Sequence, residues 1–232
     1  MFVVHLHSKF AMETIFKKLK SKDVTFNHVC EVGVYLPETS NIKDFIKSNI
    51  RATLVEADST LVEPIKEYFK GYAIDIHNVA IWDDNGTVQL SKAKASTFIS
   101  KLKSSPALKN DNYQIDTTNV FEIQSKKFSE IDDGTIDLLS IDIEGSEWYV
   151  LKYLRSSPKI ISVETHGKYY TNPFIYEIRE WFAQNNYQIW YKDDSDSVYV
   201  RKDVFKVNWV EKLSLVVKGL SLEVIKLKRF LK

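Results

Sequence analysis

Short, unbroken apolar runs alternate along this chain with stretches whose apolar residues recur at helical spacing, and the junctions between them are acidic. The stretch Ile136-Asp-Leu-Leu-Ser-Ile-Asp-Ile-Glu-Gly-Ser-Glu-Trp-Tyr-Val-Leu151 shows this order most fully. Leu138, Leu139, Ile141 and Ile143 suit a strand buried on both faces, and Trp148, Leu151 and Leu154 then repeat as one face of a helix. His28-Val-Cys-Glu-Val-Gly33 is a second such strand. After a loop containing Pro37, it is followed by the helical pattern Ile42, Phe45, Ile46, Ile50. Ala52-Thr-Leu-Val-Glu-Ala-Asp58 is a third, with a helix starting near Ser59 or Thr60 and presenting Leu61, Ile65, Tyr68 and Phe69 on one side. Ala73–Ala80 and Lys159–Gly167 supply further strands with polar exits, and Pro173–Phe182 reads as a helix. Tyr187–Tyr191 and Ser197–Val200 form a hairpin around Asp193-Asp-Ser-Asp196. Strands alternating with helices predict an α/β fold: a mostly parallel sheet covered by helices on both faces.

Between residues 84 and 130 the strand signals are weaker, at Thr87–Leu90 and Val120–Gln124, around a polar stretch from Lys101 to Asn119. This segment is predicted to be an excursion covering the substrate end of the crevice. Ser96, Thr97 and Asn119 are candidate ligand contacts there, although polar loop residues are more often simply solvated. Residues 1–27 read as a helical lead-in, 28–205 as the main domain and 206–232 as a basic amphipathic helix.

The chain has only seven glycines, and Gly33, Gly145 and Gly167 each fall just past a predicted strand. Glycine there allows close approach of backbone or ligand, and open α/β sheets bind ligands beyond the carboxyl ends of their strands. Asp142 and Glu144 interrupt a stretch that should be dry. A buried carboxylate costs several kcal/mol (roughly) unless something cationic or hydrogen-bonding meets it, so these acids are candidate ligand contacts. The alternative is an acidic loop capping a helix.

Among 232 residues the net charge is +1, which argues against nucleic acid as an obligatory partner. Cys30 is the single cysteine. It leaves no disulfide framework or thiolate metal site, is expected in the core, and fits a reducing cytoplasm. Met1–His7 is too short for a signal-peptide core, and no apolar run reaches the roughly 20 residues that span a bilayer. The chain is therefore expected to be cytoplasmic, at most peripheral to a membrane.

The order strand–Glu-x-Gly, strand–Glu-Ala-Asp, Asn-Val-Ala, Ile-Asp-Leu-Leu-Ser-Ile-Asp-Ile-Glu-Gly-Ser-Glu and Val-Glu-Thr-His, over about residues 28–201, resembles the FkbM family of S-adenosylmethionine-dependent methyltransferases. The central block is the most specific part; in the family it typically reads Asp-Leu-Leu-Lys-Ile-Asp-Val-Glu-Gly-Ala-Glu. The resemblance implies a class I methyltransferase sheet whose C-terminal hairpin contributes an antiparallel strand. It implies that Glu31, Gly33 and Val34 lie against the methionine part of S-adenosylmethionine and that Glu56, with Ala57 and Asp58 beside it, binds the ribose hydroxyls. Asn78, Val79 and Ala80 would sit by the adenine, Asp142 near the transferred methyl group, and Glu144, Glu147 and His166 on the acceptor side. Two departures stand out. Glu31-Val-Gly-Val-Tyr-Leu-Pro37 occupies the place of Asp-x-Gly-Ala-Asn-x-Gly, so the first loop must take another shape, and Ser140 replaces a common lysine.

The implied activity is O-methylation of a hydroxyl on a sugar, glycan or secondary metabolite. His166 is the first candidate for general base, since an imidazole titrating near pH 6.5 (roughly) accepts protons at neutrality, with Asp142 and Glu144 next. No metal is indicated, but Asp142 and Glu144 could instead hold a divalent cation. Two alternatives are a non-catalytic cofactor-binding or membrane-associated module and an NAD-dependent oxidoreductase, the latter lacking the Gly-x-Gly-x-x-Gly turn. In the tail, Leu213, Val216, Val217, Leu220, Val224, Leu227 and Leu231 form an apolar stripe, with Lys218, Lys226, Arg229 and Lys232 mostly elsewhere. Such a helix docks on its own sheet, on a second subunit, or on an anionic membrane surface.

Overall fold

The computed structural model describes residues 14–93, 96–102, 104–110, 113–114 and 119–230. Most of the predicted lead-in, with His5 and His7, lies outside them, as do Leu231 and Lys232. The lead-in contributes α1 (Ile15–Leu19), and the first half of the domain runs β1 (His28–Val32), α2 (Lys43–Ile46), β2 (Arg51–Val55), α3 (Ser59–Tyr68) and β3 (Ile74–His77). β4 (Ala80–Ile81) comes just before the excursion, which comprises β5 (Gly86–Ala93), β6 (Ser96–Ile99), α4 (Pro106–Asn110) and β7 (Val120–Lys126). The second half is β8 (Leu138–Ile141), α5 (Trp148–Lys152), β9 (Ile160–Glu164), α6 (Ile175–Gln184), β10 (Tyr187–Lys192), β11 (Asp196–Arg201) and α7 (Trp209–Phe230).

Seven strands form the main sheet in the order β10-β11-β9-β8-β1-β2-β3. All run parallel except β11, which is antiparallel to both β9 and β10. The apolar runs are unbroken because both faces are covered. Along β1, β8 and β9, Val29, Leu138 and Ile160 join one core layer, with Phe45, Ile65 and Phe69, while Cys30, Leu139 and Ile161 join the other, with Val150, Leu151 and Phe182. The period-2 alternation of side chains demands apolar residues at every position when neither face meets water.

Two predicted helices are shorter than their apolar spacing suggests. The segment after β1 closes at Asn49, which takes a left-handed φ of 63°, a conformation asparagine adopts readily at helix ends. Leu154 lies past the end of α5, packed on the core from a turn. The excursion folds with β4 as a second sheet, β4-β7-β5-β6. Ser96 and Thr97 belong to a strand rather than a polar loop, with Phe98 and Ile99 buried behind them.

Along α7 one face docks on β10. The Trp190 indole donates to Glu211 (2.7 Å), Lys22 pairs with the same carboxylate (2.6 Å), and Lys218 pairs with Asp194 (2.7 Å). The opposite face leaves Leu213, Val216, Val217 and Leu220 exposed. Among the described residues no helix is long and apolar enough to cross a membrane.

Candidate active site

The parallel strands bring their acidic exits to one edge of the sheet. The chain leaves β1 toward β2 on one side and returns through β8 on the other, so a crevice opens where these two neighbours diverge. A cavity of about 360 Å3 occupies it. Glu31, Gly33 and Val34 from the β1 exit, Glu56 and Ala57 from the β2 exit, Val79 and Ala80 beyond β3, and Asp142 and Glu144 beyond β8 all line it. Thr97, Phe98 and Ile99 of the second sheet close one wall.

Gly33 is where the two central strands pinch together. Its φ is +88°, and a Cβ there would lie 1.8 Å from the Asp142 carbonyl oxygen. Its amide donates to Val55 (2.9 Å), while the Asp142 amide donates to Val32 (2.9 Å), so β1, β2 and β8 are laced together at this point.

Glu56 organises the first loop. One oxygen accepts from the amides of Val34 (3.1 Å) and Tyr35 (2.8 Å), the other from the Asp58 amide (2.8 Å). Tyr35, standing where the family has asparagine, takes a left-handed φ of 54°. Asparagine adopts that conformation at low cost, whereas a β-carbon bearing an aromatic ring resists it. Tyr35→Asn is therefore expected to raise stability by about 1 kcal/mol in urea unfolding, and a loss of stability would show that the ring's contacts outweigh the backbone strain.

Three predicted site residues act from behind the wall. Asn78 donates to the carbonyls of Glu56 (2.8 Å) and Ala57 (3.2 Å), pinning the β2 exit. Asp58 caps α3 through the Thr60 amide (3.0 Å) and pairs with Lys92, so its carboxylate is turned away from the cavity lining. Glu147 was expected on the acceptor side but is fully buried: it accepts from the amides of Ile143 and Gly145 (both 3.0 Å) and from the Asn172 side chain. It thus holds the elbow in which Glu144 has φ +58°.

His166 departs from the expected position. It is buried outside the cavity lining, with Nδ1 2.9 Å from the Thr165 hydroxyl and Nε2 3.2 Å from the Asp193 carbonyl. A carbonyl only accepts, so Nε2 carries the proton and Nδ1 takes the hydroxyl's hydrogen bond. The ring ties the end of β9 to the hairpin turn rather than lining the cavity. That turn instead brings Asp193, Ser195 and Asp196 to the cavity, residues recognised in the sequence only as a hairpin tip. The one available signal was three aspartates within four residues of a turn.

The cavity is strongly acidic and partly dry. Burial pushes Glu31 up to about 7 and Asp196 up to about 7, in both cases against hydrogen bonds that favour the charged form. Asp142 is raised well above the ordinary carboxylate range by burial and then by the charges of Asp196, Glu144, Glu147 and Glu31. Burial raises Glu56 as well. These raised values favour the protonated folded state, so the stability they contribute is present at acid pH and is lost as pH rises through about 7. The ligand-free protein is expected to show a falling melting temperature between pH 5 and pH 8 (roughly), with a bound cationic ligand flattening the fall; a rising profile would contradict this charge arrangement.

Residues 31–189 match the family described as the methyltransferase FkbM domain. The chain belongs to this FkbM methyltransferase family. Membership implies the use of S-adenosylmethionine. Among solved structures the chain is similar to the methyltransferase domain of bacterial CtHen1, at 11% identity and a TM-score of 0.45, covering 81% of this chain and 95% of that one. It is also similar to the ribosomal protein L11 methylase of Lactobacillus delbrueckii subsp. bulgaricus, at 12% identity and a TM-score of 0.42, covering 81% of this chain and 76% of that one. No curated protein matches the chain. In this FkbM-family chain the block Leu138–Glu147 thus builds strand β8 and, just beyond it, the exit through which Asp142, Ile143 and Glu144 line the cavity.

Proposed function

We propose that this chain binds S-adenosylmethionine in the acidic cavity and methylates a hydroxyl group of a sugar, glycan or secondary metabolite. The observation that carries the reading is the convergence of Glu31, Glu56 and Asp142 from three adjacent strand ends on one crevice beside the apolar Val79, Ala80 and Leu61. A ligand with an ammonium and a sulfonium at one end, a ribose in the middle and an adenine at the other matches that sequence of surfaces. Glu31 would face the methionine part, Glu56 would accept from the ribose hydroxyls with the lone pairs its three amide bonds leave, and the adenine would lie along the apolar wall.

When bound, S-adenosylmethionine supplies the methyl carbon and a neutral thioether leaving group. The protein's tasks are then to align an acceptor oxygen with that carbon and to take the hydroxyl proton. Asp142 and Glu144 are the carboxylates at the cavity that suit the second task, because burial and mutual repulsion make Asp142 a stronger base than an ordinary aspartate. The oxidoreductase reading is disfavoured by the loop after β1: α2 has only four residues, so there is no helix N-terminus of useful length for a pyrophosphate.

Isothermal titration tests this reading. S-adenosylmethionine and S-adenosylhomocysteine are expected to bind and NAD is not, after which acceptor hydroxyls can be screened by mass spectrometry for gain of one methyl group. Folded protein that binds neither sulfur compound, with magnesium present, would overturn it.

A further inference from the structure

Behind the cavity floor lies a group of carboxylates of which only Asp142 enters the methyl-transfer reading. One oxygen from each of Asp142, Glu147 and Glu164 lies within 4.8 Å of the other two. Three points so placed share a centre at most about 2.8 Å from each, slightly outside the 2.3–2.6 Å (roughly) at which oxygens surround calcium and about 0.7 Å outside the magnesium distance.

Acidic clusters alone are common, but two buried polar groups here lack partners. Glu164 is 6% exposed and its Oε2 has no hydrogen-bond partner; Tyr170 is 0% exposed and its hydroxyl has none either. Tyr170 faces the same group: its hydroxyl would lie 3.4 Å from a Cβ at Gly145, whose amide is held by Glu147. A buried polar atom left unpaired costs about 1–3 kcal/mol, and more when charged, so two at one spot call for an absent partner. The nearest side-chain oxygens to Glu164 in this group belong to the carboxylates of Asp142 and Glu147, so that partner is a cation.

We propose that Asp142, Glu147 and Glu164 bind a hard divalent cation at the carboxyl ends of β8 and β9. The donors are held in place before any ion arrives. Two backbone amides and Asn172 orient Glu147, and Asn172 also donates to the Glu164 carbonyl (3.2 Å), joining the elbow to β9. Asp142 lines the cavity, so the ion would be reached from it and would present open coordination positions toward it. There it would bind an acceptor oxygen and lower its pKa; this last role rests on the methyltransferase reading, whereas ion binding does not.

The test uses chelator-stripped full-length protein titrated with Mn2+ by electron paramagnetic resonance, and with Mg2+ and Ca2+ by calorimetry. One Mn2+ per chain is expected, displaced by Mg2+ or Ca2+. Glu164→Gln should weaken Mn2+ at least about tenfold while S-adenosylhomocysteine binding stays within about twofold, and the surface variant Glu180→Gln should leave Mn2+ unchanged. Retained S-adenosylhomocysteine binding also shows that Glu164→Gln is folded; if that variant does not fold, Tyr170→Phe replaces it, with weakened Mn2+ binding expected. Absence of Mn2+ binding by the wild type, or wild-type Mn2+ affinity in a folded Glu164→Gln, overturns the proposal. Failure of S-adenosylhomocysteine to bind wild type that still takes up Mn2+ would overturn the cofactor reading instead.

Discussion

Gly33→Ala is expected to destabilise the protein by roughly 3 kcal/mol or more and to abolish binding of S-adenosylhomocysteine, because two independent costs fall on one methyl group. The φ of +88° penalises any β-carbon, and the space that carbon needs is already filled by the Asp142 carbonyl oxygen at 1.8 Å. Relief cannot come from a side-chain rotation, since both partners are backbone. The β1 exit must move away from β8, which breaks the Gly33–Val55 and Asp142–Val32 hydrogen bonds at the narrowest part of the crevice. Urea unfolding with calorimetric titration of the folded fraction checks both parts. A variant with wild-type stability would mean that the two strands are not this close. Gly71→Ala is the comparison, since its φ is similar, +89°, but nothing lies within 4 Å of a Cβ there. It should show the conformational cost alone.

Glu56→Gln is expected to weaken S-adenosylhomocysteine by about 3 kcal/mol, a factor of at least roughly 100, with a smaller loss of thermal stability. The carboxylate accepts three backbone amides that hold the first loop and the start of α3, and an amide nitrogen in place of one oxygen would face N–H donors. Loss of affinity alone would therefore not separate ribose recognition from a displaced loop. A cycle with 2′-deoxy-S-adenosylhomocysteine does. If Glu56 accepts from the ribose, removing the hydroxyl weakens binding to the wild type and has little further effect on Glu56→Gln. Equal losses on both proteins would confine Glu56 to positioning the loop.

The strand–helix order, the acidic strand exits and the glycine at the pinch point were legible in the chain because a two-sided parallel sheet imposes unbroken apolar runs and a polar exit on each strand. Gly33, Asp142 and Glu144 stood out from their positions at strand ends, the family resemblance implied site roles for Glu31, Val34, Glu56, Ala57, Val79 and Ala80, and all nine line the crevice. Asp58, Asn78 and His166 follow the same rule in sequence, yet each serves a neighbouring segment. A strand's end determines where a residue is, but the local cap or turn determines which way its side chain points.

What the sequence by itself determined is the α/β class, the parallel sheet and the edge at which chemistry would gather, since these follow from periodicity and from the cost of burying polar groups. Only the tertiary structure decided the rest. It inserted β11 between β9 and β10, so that Asp193 and Asp196 reach the crevice, and it turned Thr97, Phe98 and Ile99 into part of the cavity wall. It also drew Glu164 and Tyr170 beside Asp142 and Glu147 without hydrogen-bond partners for Glu164 Oε2 and the Tyr170 hydroxyl. These arrangements join residues far apart in the chain, and they are set by packing between elements, for which no local pattern of apolar and polar residues carries a signal.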